Sequence, residues 1–428
     1  MIEARALAGR TFRSLQVRNY RLYFVGQIVS LTGTWMQSVA QAWLVLQLSH
    51  SGLALGLTTA LQFGPMLLGG PWGGVVADRA DKRRLLMVTQ ASSAAVALTL
   101  GVLVVTGAVR LWMVLALAFS LGVVNLFDMP ARQSFVMEMV GRRDVANAVS
   151  LNSVVVNAAR VVGPAVAGFL VATVGTGVCF LINAASFAAV IGALFLMDPD
   201  HLERTARVGR GKGQLRAGLR YVWRTPELRT PLLTMLVVGT LAYNFSVLMP
   251  LLARFTFHSG PDTYGLLFAL MGGGAVVGGL AVATRGRVSG RLLAAAALAF
   301  GAALWLAAVA PDLALEMAVM VPVGAASAAF IATSNSLLQL TANPSMRGRV
   351  MALFTVVFVG STPIGGPLVG WIAERFGPRV GLAMGATATL LAGTVAWSLL
   401  RRAGRRARAR RVGERAPAEA LVEAAVRR

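Results

Sequence analysis

Long apolar stretches recur along the chain and are separated by short polar or basic segments. A helix needs about 20 apolar residues to cross the hydrocarbon core of a bilayer, and twelve stretches reach that length. The pattern therefore predicts an all-α membrane protein with twelve transmembrane helices. The predicted segments are residues 20–46, 53–77, 85–106, 111–137, 146–172, 178–197, 231–252, 264–284, 292–310, 313–333, 350–371 and 380–400.

A polar stretch divides these segments into two sets of six. The division predicts an N-terminal six-helix bundle (1–197), a linker (198–229), a C-terminal six-helix bundle (230–400) and a basic tail (401–428). Within the linker, arginines recur every four residues opposite an apolar face. This spacing predicts an amphipathic helix, either at the membrane surface or as a solvated linker. Its residues are Arg216, Arg220 and Arg224 on one side and Leu215, Leu219, Val222 and Trp223 on the other.

The two sets of six resemble each other. A shift of 209 residues places Gly56 of the second segment on Gly265 of the eighth, and the neighbouring glycines also align. A shift of 203 residues places Gly163-Pro164 of the fifth segment on Gly366-Pro367 of the eleventh. Two halves in the same orientation indicate a parallel repeat about a pseudo-two-fold axis along the membrane normal.

Composition agrees with a membrane protein and narrows its function. Of the 428 residues, 56% are hydrophobic and 13% are charged, about half of the charged share of a soluble domain. One cysteine and three widely spaced histidines predict neither a disulfide scaffold nor a metal centre. The sequence also lacks a Walker A motif, which disfavours ATP as the energy source. We therefore expect neither an enzyme nor a cofactor.

The positive charge is distributed unevenly between the loops. If both termini lie in the cytoplasm, 35 of the 40 Lys and Arg residues fall in cytoplasmic segments and four fall in outer loops. This asymmetry predicts a multi-pass protein of the inner (cytoplasmic) membrane with both termini inside. The net charge of +23 would then face anionic lipids of the inner leaflet, so we expect no nucleic-acid partner.

The connection between segments two and three, G-V-V-A-D-R-A-D-K-R-R, carries the most specific motif. At Gly74 the missing side chain lets helix two approach a neighbour closely. Asp78, at the end of helix two, can cap the positive N-terminus of another helix. Arg79, Lys82 and Arg83 fit lipid headgroups, or they only satisfy the positive-inside rule.

This connection resembles the loop motif G-x-x-x-D-R-x-G-R/K-R of the major facilitator superfamily, with Asp81 where that family usually has glycine. The resemblance covers residues 17–400 and implies two six-helix bundles related by a pseudo-two-fold axis. It also implies that the partner of Asp78 is helix eleven, which begins near residues 347–350.

Three further runs resemble one branch of that superfamily. The run G-P-A-V-A-G in segment five is similar to a motif of exporters and antiporters, with Ala-Gly in place of its final Gly-Gly. The runs F-D-M-P-A-R-Q-S-F and R-G-R-V-M-A-L are similar to the branch of drug and siderophore exporters that includes the enterobactin exporter. The glycines and prolines of segments five and eleven are expected to be helix hinges. They are Gly163, Pro164, Gly168, Gly366 and Pro367.

Polar residues recur along one face of several segments. A polar side chain that faces lipid is costly, so these faces turn toward protein or water. The resemblance implies a central cavity lined by helices one, four, seven and ten. Interhelical hydrogen bonding without substrate contact is the alternative. The candidates for lining the cavity are Gln27, Thr34, Gln37, Gln41, Asn125, Asn157, Tyr243, Asn244, Asn335 and Gln339.

Three charged residues lie well inside predicted helices, more than one turn from the segment ends, and they are candidates for coupling transport to an ion gradient. If helix four continues to about Val140 and helix five starts near Ala146, Asp128 and Arg160 lie about 18 and 21 Å from the inner ends of their helices, at 1.5 Å per residue. An unpaired charge at that depth is costly, so we expect the two to pair. Arg132, one helical turn from Asp128, competes for the same carboxylate.

Together these features predict a secondary transporter. The expected activity is export of a small amphipathic molecule (a drug, siderophore or secondary metabolite) by alternating access of a monomer, most simply coupled to protons. A lipid flippase of the same fold is the main alternative. A channel, a membrane enzyme or a receptor is a less favoured reading.

Overall fold

The computed structural model describes residues 12–203, 214–286 and 288–401, and all regular structure in that part of the chain is helical. Short 3₁₀ turns cover Arg13–Gln16 and Pro199–His201, and a π-helical turn covers Leu252–Thr256. The helices are α1 (Arg18–Ser49), α2 (Gly52–Arg79), α3 (Lys82–Val105), α4 and α5 (together Leu111–Val174), α6 (Thr176–Leu196), α7 (Gln214–Arg224), α8 (Pro226–Leu241), α9 (Phe245–Leu251), α10 (Pro261–Arg285), α11 (Gly290–Val309), α12 (Leu313–Thr341), α13 (Arg347–Phe376) and α14 (Pro378–Arg401).

Ten helical stretches of the described chain are long and apolar enough to cross a membrane, which makes this a multi-pass membrane protein. One of the ten is the 64-residue stretch Leu111–Val174. As a straight helix it would be about 96 Å long, roughly three times the thickness of a bilayer core. Helix α1, with 32 residues, is outside the ten because it carries the polar face. The count of twelve stays a prediction, which the break described next and the length of α1 favour.

The 64-residue stretch reverses at a single glycine. Gly141 has φ 69° and ψ 176°, a conformation that residues with a side chain rarely adopt. The end of α4 and the start of α5 both lie beside the start of α1. Phe135 packs edge-on against Tyr23, and the Tyr20 hydroxyl donates to the carbonyl of Ala148. Helices α4 (111–140) and α5 (142–174) are therefore antiparallel.

The helices form two bundles with two distinct ends. In the first bundle α1 packs on α4, α5 and α6, and α3 packs on α6; in the second, α12 packs on α10 and α11, and α13 on α8. Two helix pairs join the bundles, α2 with α13 and α5 with α10. We call the end with the α2–α3 connection the basic end. The opposite end, with the α1–α2 connection at His50 and Ser51, is the far end.

Glycines bring α2 and α13 into backbone contact. A Cβ atom added to Gly52 would lie 2.5 Å from the carbonyl oxygen of Gly370, which is too close for any side chain. One turn further along, Gly56 meets the backbone of Gly366 in the same way. Small residues at such crossings let membrane helices approach closely.

The second crossing repeats the first, as a pseudo-two-fold axis requires. Gly265 of α10 lies against the backbone of Pro164 and Gly168 in α5. The aligned glycines of segments two and eight thus each meet a Gly-Pro segment of the other bundle. Pro164 and Gly168 lie at the second crossing, and Gly366 and Pro367 lie at the first, whereas Gly163 lies against Trp35 of α1. The helices continue through all of these predicted hinge residues. Whether they bend during a transport cycle stays a prediction.

The linker helix α7 docks on the second bundle. A Cβ atom added to Gly218 would lie 3.0 Å from the Cβ atom of Arg349 in α13. The Tyr221 hydroxyl accepts a hydrogen bond from the backbone N–H of Asn343. Val222 is buried there, whereas Leu219 and Trp223 are 50% and 58% exposed. An exposed apolar side suits a membrane surface. Residues 204–213 of the predicted linker and 402–428 of the basic tail lie outside the described residues.

Candidate functional site

A hydrogen-bonded ion pair lies inside the first bundle. Asp128 on α4 is 2% exposed, and its Oδ2 atom accepts two hydrogen bonds from Arg132, of 2.6 and 2.9 Å. Its Oδ1 atom accepts from Thr89 and Gln90 of α3, both at 2.7 Å. Arg132 also donates to Gln27 of α1 at 2.6 Å. Four donors satisfy the carboxylate, and the cluster ties three helices together.

The predicted pair of Asp128 and Arg160 is wrong. Arg132 is one turn from Asp128 on the same helix, so it reaches the carboxylate with no change in helix packing. The guanidinium of Arg160 instead lies over Trp35 of α1, with its central carbon 5.0 Å from the ring centroid. Its Nε atom is buried without a hydrogen-bond partner among the described residues.

The loop motif at the basic end is anchored inside the first bundle. Lys82 forms a buried ion pair with Glu138 of α4 at 2.5 Å. Arg83 donates to the carbonyls of Leu194 and Phe195 at the end of α6, where a cation stabilises the helix dipole. Lys82 and Arg83 therefore bind protein groups, and contact of the motif with lipid headgroups stays a prediction.

The remaining motif residues surround a cavity of about 360 Å³ at the basic end, which Asp78 and Arg79 help to line. Gly74 is buried, and its neighbour Gly73 makes the close backbone contact, with Leu126 of α4. Asp78 has an interaction of its own, and its predicted capping of helix eleven stays a prediction.

The residue that departs from the family motif has a local role. Asp81 is the N-cap of α3, and its Oδ1 atom accepts a 3.0 Å hydrogen bond from the backbone N–H of Arg84. Aspartate is among the best N-cap residues because it satisfies an amide that the helix leaves unpaired. Glycine at this position would leave that amide to water.

The polar face of α1 is mostly used for packing between helices. Gln27, Gln37 and Gln41 are buried. Gln37 accepts a 2.6 Å hydrogen bond from Asn183 of α6, as Gln27 does from the arginine of the buried pair. Thr34 is exposed, with its hydroxyl bonded to the backbone one turn earlier. The structure thus favours interhelical bonding for Gln27 and Gln37, buries Gln41 and leaves Thr34 accessible.

The candidates on the other helices have more local contacts. Asn125 and Asn157 are half-buried, and Asn157 donates to the carbonyl of Ser153 on its own helix. On α12, Gln339 donates to Asn335 at 2.5 Å. Neither pair has a contact that identifies a ligand. All four stay predictions as residues that line a cavity.

Tyr243 and Asn244 lie where the seventh predicted segment breaks between α8 and α9. The Tyr243 hydroxyl donates to the carbonyl of Ser327 at 2.7 Å. Its ring packs against three phenylalanines, Phe245, Phe300 and Phe358. Asn244 is buried, and its side-chain amide donates to the carbonyl of Thr240 in α8. The break therefore places an aromatic cluster in the second bundle.

Sequence reasoning missed a buried carboxylate in α12. Glu316 has no exposed surface, and neither of its oxygens has a hydrogen-bond partner among the described residues. Arg379 of α14 lies within electrostatic range but donates to the carbonyl of Ala310. Glu316 is only one turn from the start of its predicted segment, so the pattern gave no sign that it is buried.

Polar contacts join the two bundles at the far end. Glu374 of α13 accepts a 2.6 Å hydrogen bond from the Ser51 hydroxyl and a 2.9 Å hydrogen bond from the backbone N–H of Leu53. Its carboxylate thereby caps the N-terminus of α2 from the other bundle. Arg254, after α9, approaches His50 at 3.4 Å and lies over Trp43. Residues more than 200 positions apart make these contacts, so no local pattern could have predicted them.

The architecture is that of a transporter with the major facilitator fold. A bacterial homologue of the human lysosomal transporter Spinster, in an inward-facing and unoccupied crystal structure, superposes with a TM-score of 0.70. The match covers 90% of this chain and 96% of that chain at 16% identity, a likeness of fold alone. The sequence matches the transmembrane secretion effector family over residues 10–426. The chain therefore belongs to that family of the major facilitator superfamily.

Curated relatives agree with this assignment. The staphyloferrin A transporter of Staphylococcus aureus is 24% identical, over 83% of this chain and 90% of its own length. The multidrug efflux pump Tap of Mycolicibacterium fortuitum is 29% identical, over 85% and 91%. The enterobactin exporter EntS of Shigella flexneri is 25% identical, over 84% and 86%. The predicted superfamily and exporter branch are confirmed, and the chain is a transporter rather than an enzyme.

Proposed function

We propose that this transporter exports a small amphipathic molecule by alternating access and that protons drive the export. The observation that carries the proposal is the buried Asp128–Arg132 pair inside a fold whose two bundles meet along two glycine crossings. Relatives named as a multidrug efflux pump and an enterobactin exporter support export of drug-like or siderophore-like molecules.

The pair is suited to proton coupling. A carboxylate that takes up a proton loses its attraction for the arginine, and the hydrogen bonds to α1 and α3 then rearrange. Because those bonds join three helices of one bundle, protonation of Asp128 biases how the bundle packs. A proton gradient can do work only if proton uptake is linked to the change of conformation, and the hydrogen bonds of this cluster provide a physical link.

Reconstituted vesicles test the coupling. Purified full-length protein is placed in proteoliposomes that contain a pH-sensitive dye. A cationic substrate (rhodamine 123) and an anionic substrate (carboxyfluorescein) are offered in separate assays under an imposed pH gradient. We expect dye movement to be accompanied by proton movement in the wild type and to be lost with Asp128→Asn. Asp144→Asn is the matched control, because Asp144 forms its ion pair with Arg13 near the basic end. Coupling that survives Asp128→Asn would place the proton site elsewhere.

The basic end is proposed to face the cytoplasm of an inner membrane. The asymmetry of Lys and Arg between the loops supports this orientation. The native cysteine, Cys179, is buried, so added cysteines report topology against a silent background. We expect Thr106→Cys at the far end to react with an impermeant thiol reagent in intact cells. Arg143→Cys should react only after the membrane is permeabilised. The reverse pattern would invert the topology.

A further inference from the structure

The first bundle carries a half-buried cation, Arg160, which forms no ion pair with a described carboxylate of that bundle. Three charged side chains lie well inside α4 and α5, namely Asp128, Arg132 and Arg160. Asp128 and Arg132 neutralise each other. The other buried carboxylate of α4, Glu138, is already paired with Lys82. Among the described ion pairs, none includes Arg160.

Arg160 lies where the two bundles meet. It is near the middle of α5, and its backbone carbonyl lies against Gly272 of α10 at the second glycine crossing. Its guanidinium lies over Trp35 of α1, and Tyr243 of the second bundle is within electrostatic range. Helices of both bundles therefore surround this cation, as they would surround a substrate in an alternating-access transporter.

The surroundings of Arg160 satisfy only part of its chemistry. A guanidinium has five N–H donors in a planar fork that matches a carboxylate or phosphate. The indole ring offers a π face, which attracts a cation but accepts no directed hydrogen bond at the fork. An isolated charge within a membrane protein is costly, and such residues mark binding sites and pathways.

We propose that Arg160 binds the oxyanion of the substrate, so that the transported molecules are amphipathic organic anions. This inference rests on the proposed exporter function and adds the charge of the substrate. The apolar part of such a molecule fits the aromatic side chains around the cation. The ring centroids of Trp35 and Phe268 of α10 lie 6.1 Å apart. Tyr243 belongs to the aromatic cluster of the second bundle.

Two dyes with the same ring system and opposite charge test this inference. Carboxyfluorescein is an anion and rhodamine 123 is a cation, and both contain a xanthene ring. Fluorescence anisotropy measures the binding of each dye to purified full-length protein in detergent. We expect the wild type to bind carboxyfluorescein about tenfold more tightly than rhodamine 123, which corresponds to about 1.4 kcal/mol.

Substitutions at Arg160 separate charge from packing. Arg160→Gln should weaken carboxyfluorescein binding about tenfold and leave rhodamine 123 binding unchanged or stronger. Arg160→Lys should lose less, because it keeps the charge but not the planar fork. Arg254→Gln is the matched control, since this arginine also lies over a tryptophan, Trp43, but at the far end. Size-exclusion profiles confirm that each variant is folded, and Arg160→Lys serves if the neutral variant is not.

Several outcomes would overturn the inference. Equal losses for both dyes in Arg160→Gln would mean a packing role, and unchanged affinity would mean no contact with the ligand. Wild-type protein that binds only the cation, or neither dye, would also count against the site. Gradient-driven movement of rhodamine 123 without carboxyfluorescein binding would overturn the anionic substrate but leave the exporter. Binding of carboxyfluorescein without any gradient-driven movement would contradict the exporter function but leave the anion site.

Discussion

At the scale of single residues, helix geometry decides which charges pair. Residues four apart on one helix meet without any change in packing, whereas a pair between helices needs both to have the right rotation. Arg132 therefore forms the ion pair with Asp128. Arg160 instead makes a cation–π contact with Trp35. The sequence could predict that these charges need partners. It could not predict the rotation of α5, on which the choice of partner depends.

Removing one member of the buried pair should cost more than removing both. Asp128→Asn leaves Arg132 without its counter-ion, a loss of up to about 3–5 kcal/mol in the free energy of unfolding. In the double variant Asp128→Asn with Arg132→Gln, most of that loss should be recovered. Thermal unfolding and folded yield in detergent measure both. Additive losses would mean that the two side chains do not interact, and Arg160→Gln should rescue nothing.

Glu316 gives the opposite expectation. A buried carboxylate without hydrogen-bond donors is costly when charged, so the neutral amide of Glu316→Gln should leave stability unchanged or raise it by about 1–2 kcal/mol. Glu316→Ala is the control for packing, and it should lower the unfolding temperature. If Glu316→Gln is as destabilising as Glu316→Ala, then Arg379 is a true ion-pair partner.

At the scale of helices, a departure from a family motif becomes a helix cap. The loop motif itself could be recognised in the sequence, because its residues are contiguous. The role of Asp81 could not, since it depends on where α3 begins, and the predicted start at residue 85 lies three residues after the actual start at Lys82. The same holds for Arg83, whose partners are carbonyls at the end of α6.

Substitutions at Asp81 should follow the ranking of N-cap residues. Asp81→Ala should cost about 0.5–2 kcal/mol in the free energy of unfolding, while Asp81→Asn should cost almost nothing. Asp81→Gly, which restores the usual family residue, should cost only a few tenths of a kcal/mol. Unfolding in detergent gives this order. If the alanine and asparagine variants were equally stable, the hydrogen bond to Arg84 would contribute nothing.

At the scale of the whole molecule, the sequence predicted the two halves and their repeat but not how they are joined. Apolar length and glycine spacing are local, so the bundles and the Gly-Pro segments could be found. The contact of Glu374 with Ser51 and Leu53 joins residues more than 300 positions apart. Only the docking of α13 on α2 creates it. It joins the two bundles at the far end.

Weakening this contact should open the far end. The charge of Glu374 caps α2 and favours the closed state by about 0.3–1 kcal/mol, and Glu374→Gln removes that charge. The ratio of open to closed molecules should then rise about two- to fivefold, by conversion of that energy. Spin labels at Thr106 and Pro311, one in each bundle at this end, measure the distance distribution. Arg375→Gln, a charge change on the next residue, should have no such effect, and identical distributions for both variants would contradict the role of Glu374.

The glycine crossings also bear on the speed at which the bundles can move past each other. Where side chains interlock, a change of orientation requires rotamer changes, and each of these adds to the activation barrier. At Gly52–Gly370 and Gly56–Gly366 the touching surfaces are backbone, so the helices can roll on each other without unlocking. The barrier to the transition then falls mainly on the polar contacts at the far end. We therefore expect the rate of turnover to depend on how fast water replaces those hydrogen bonds.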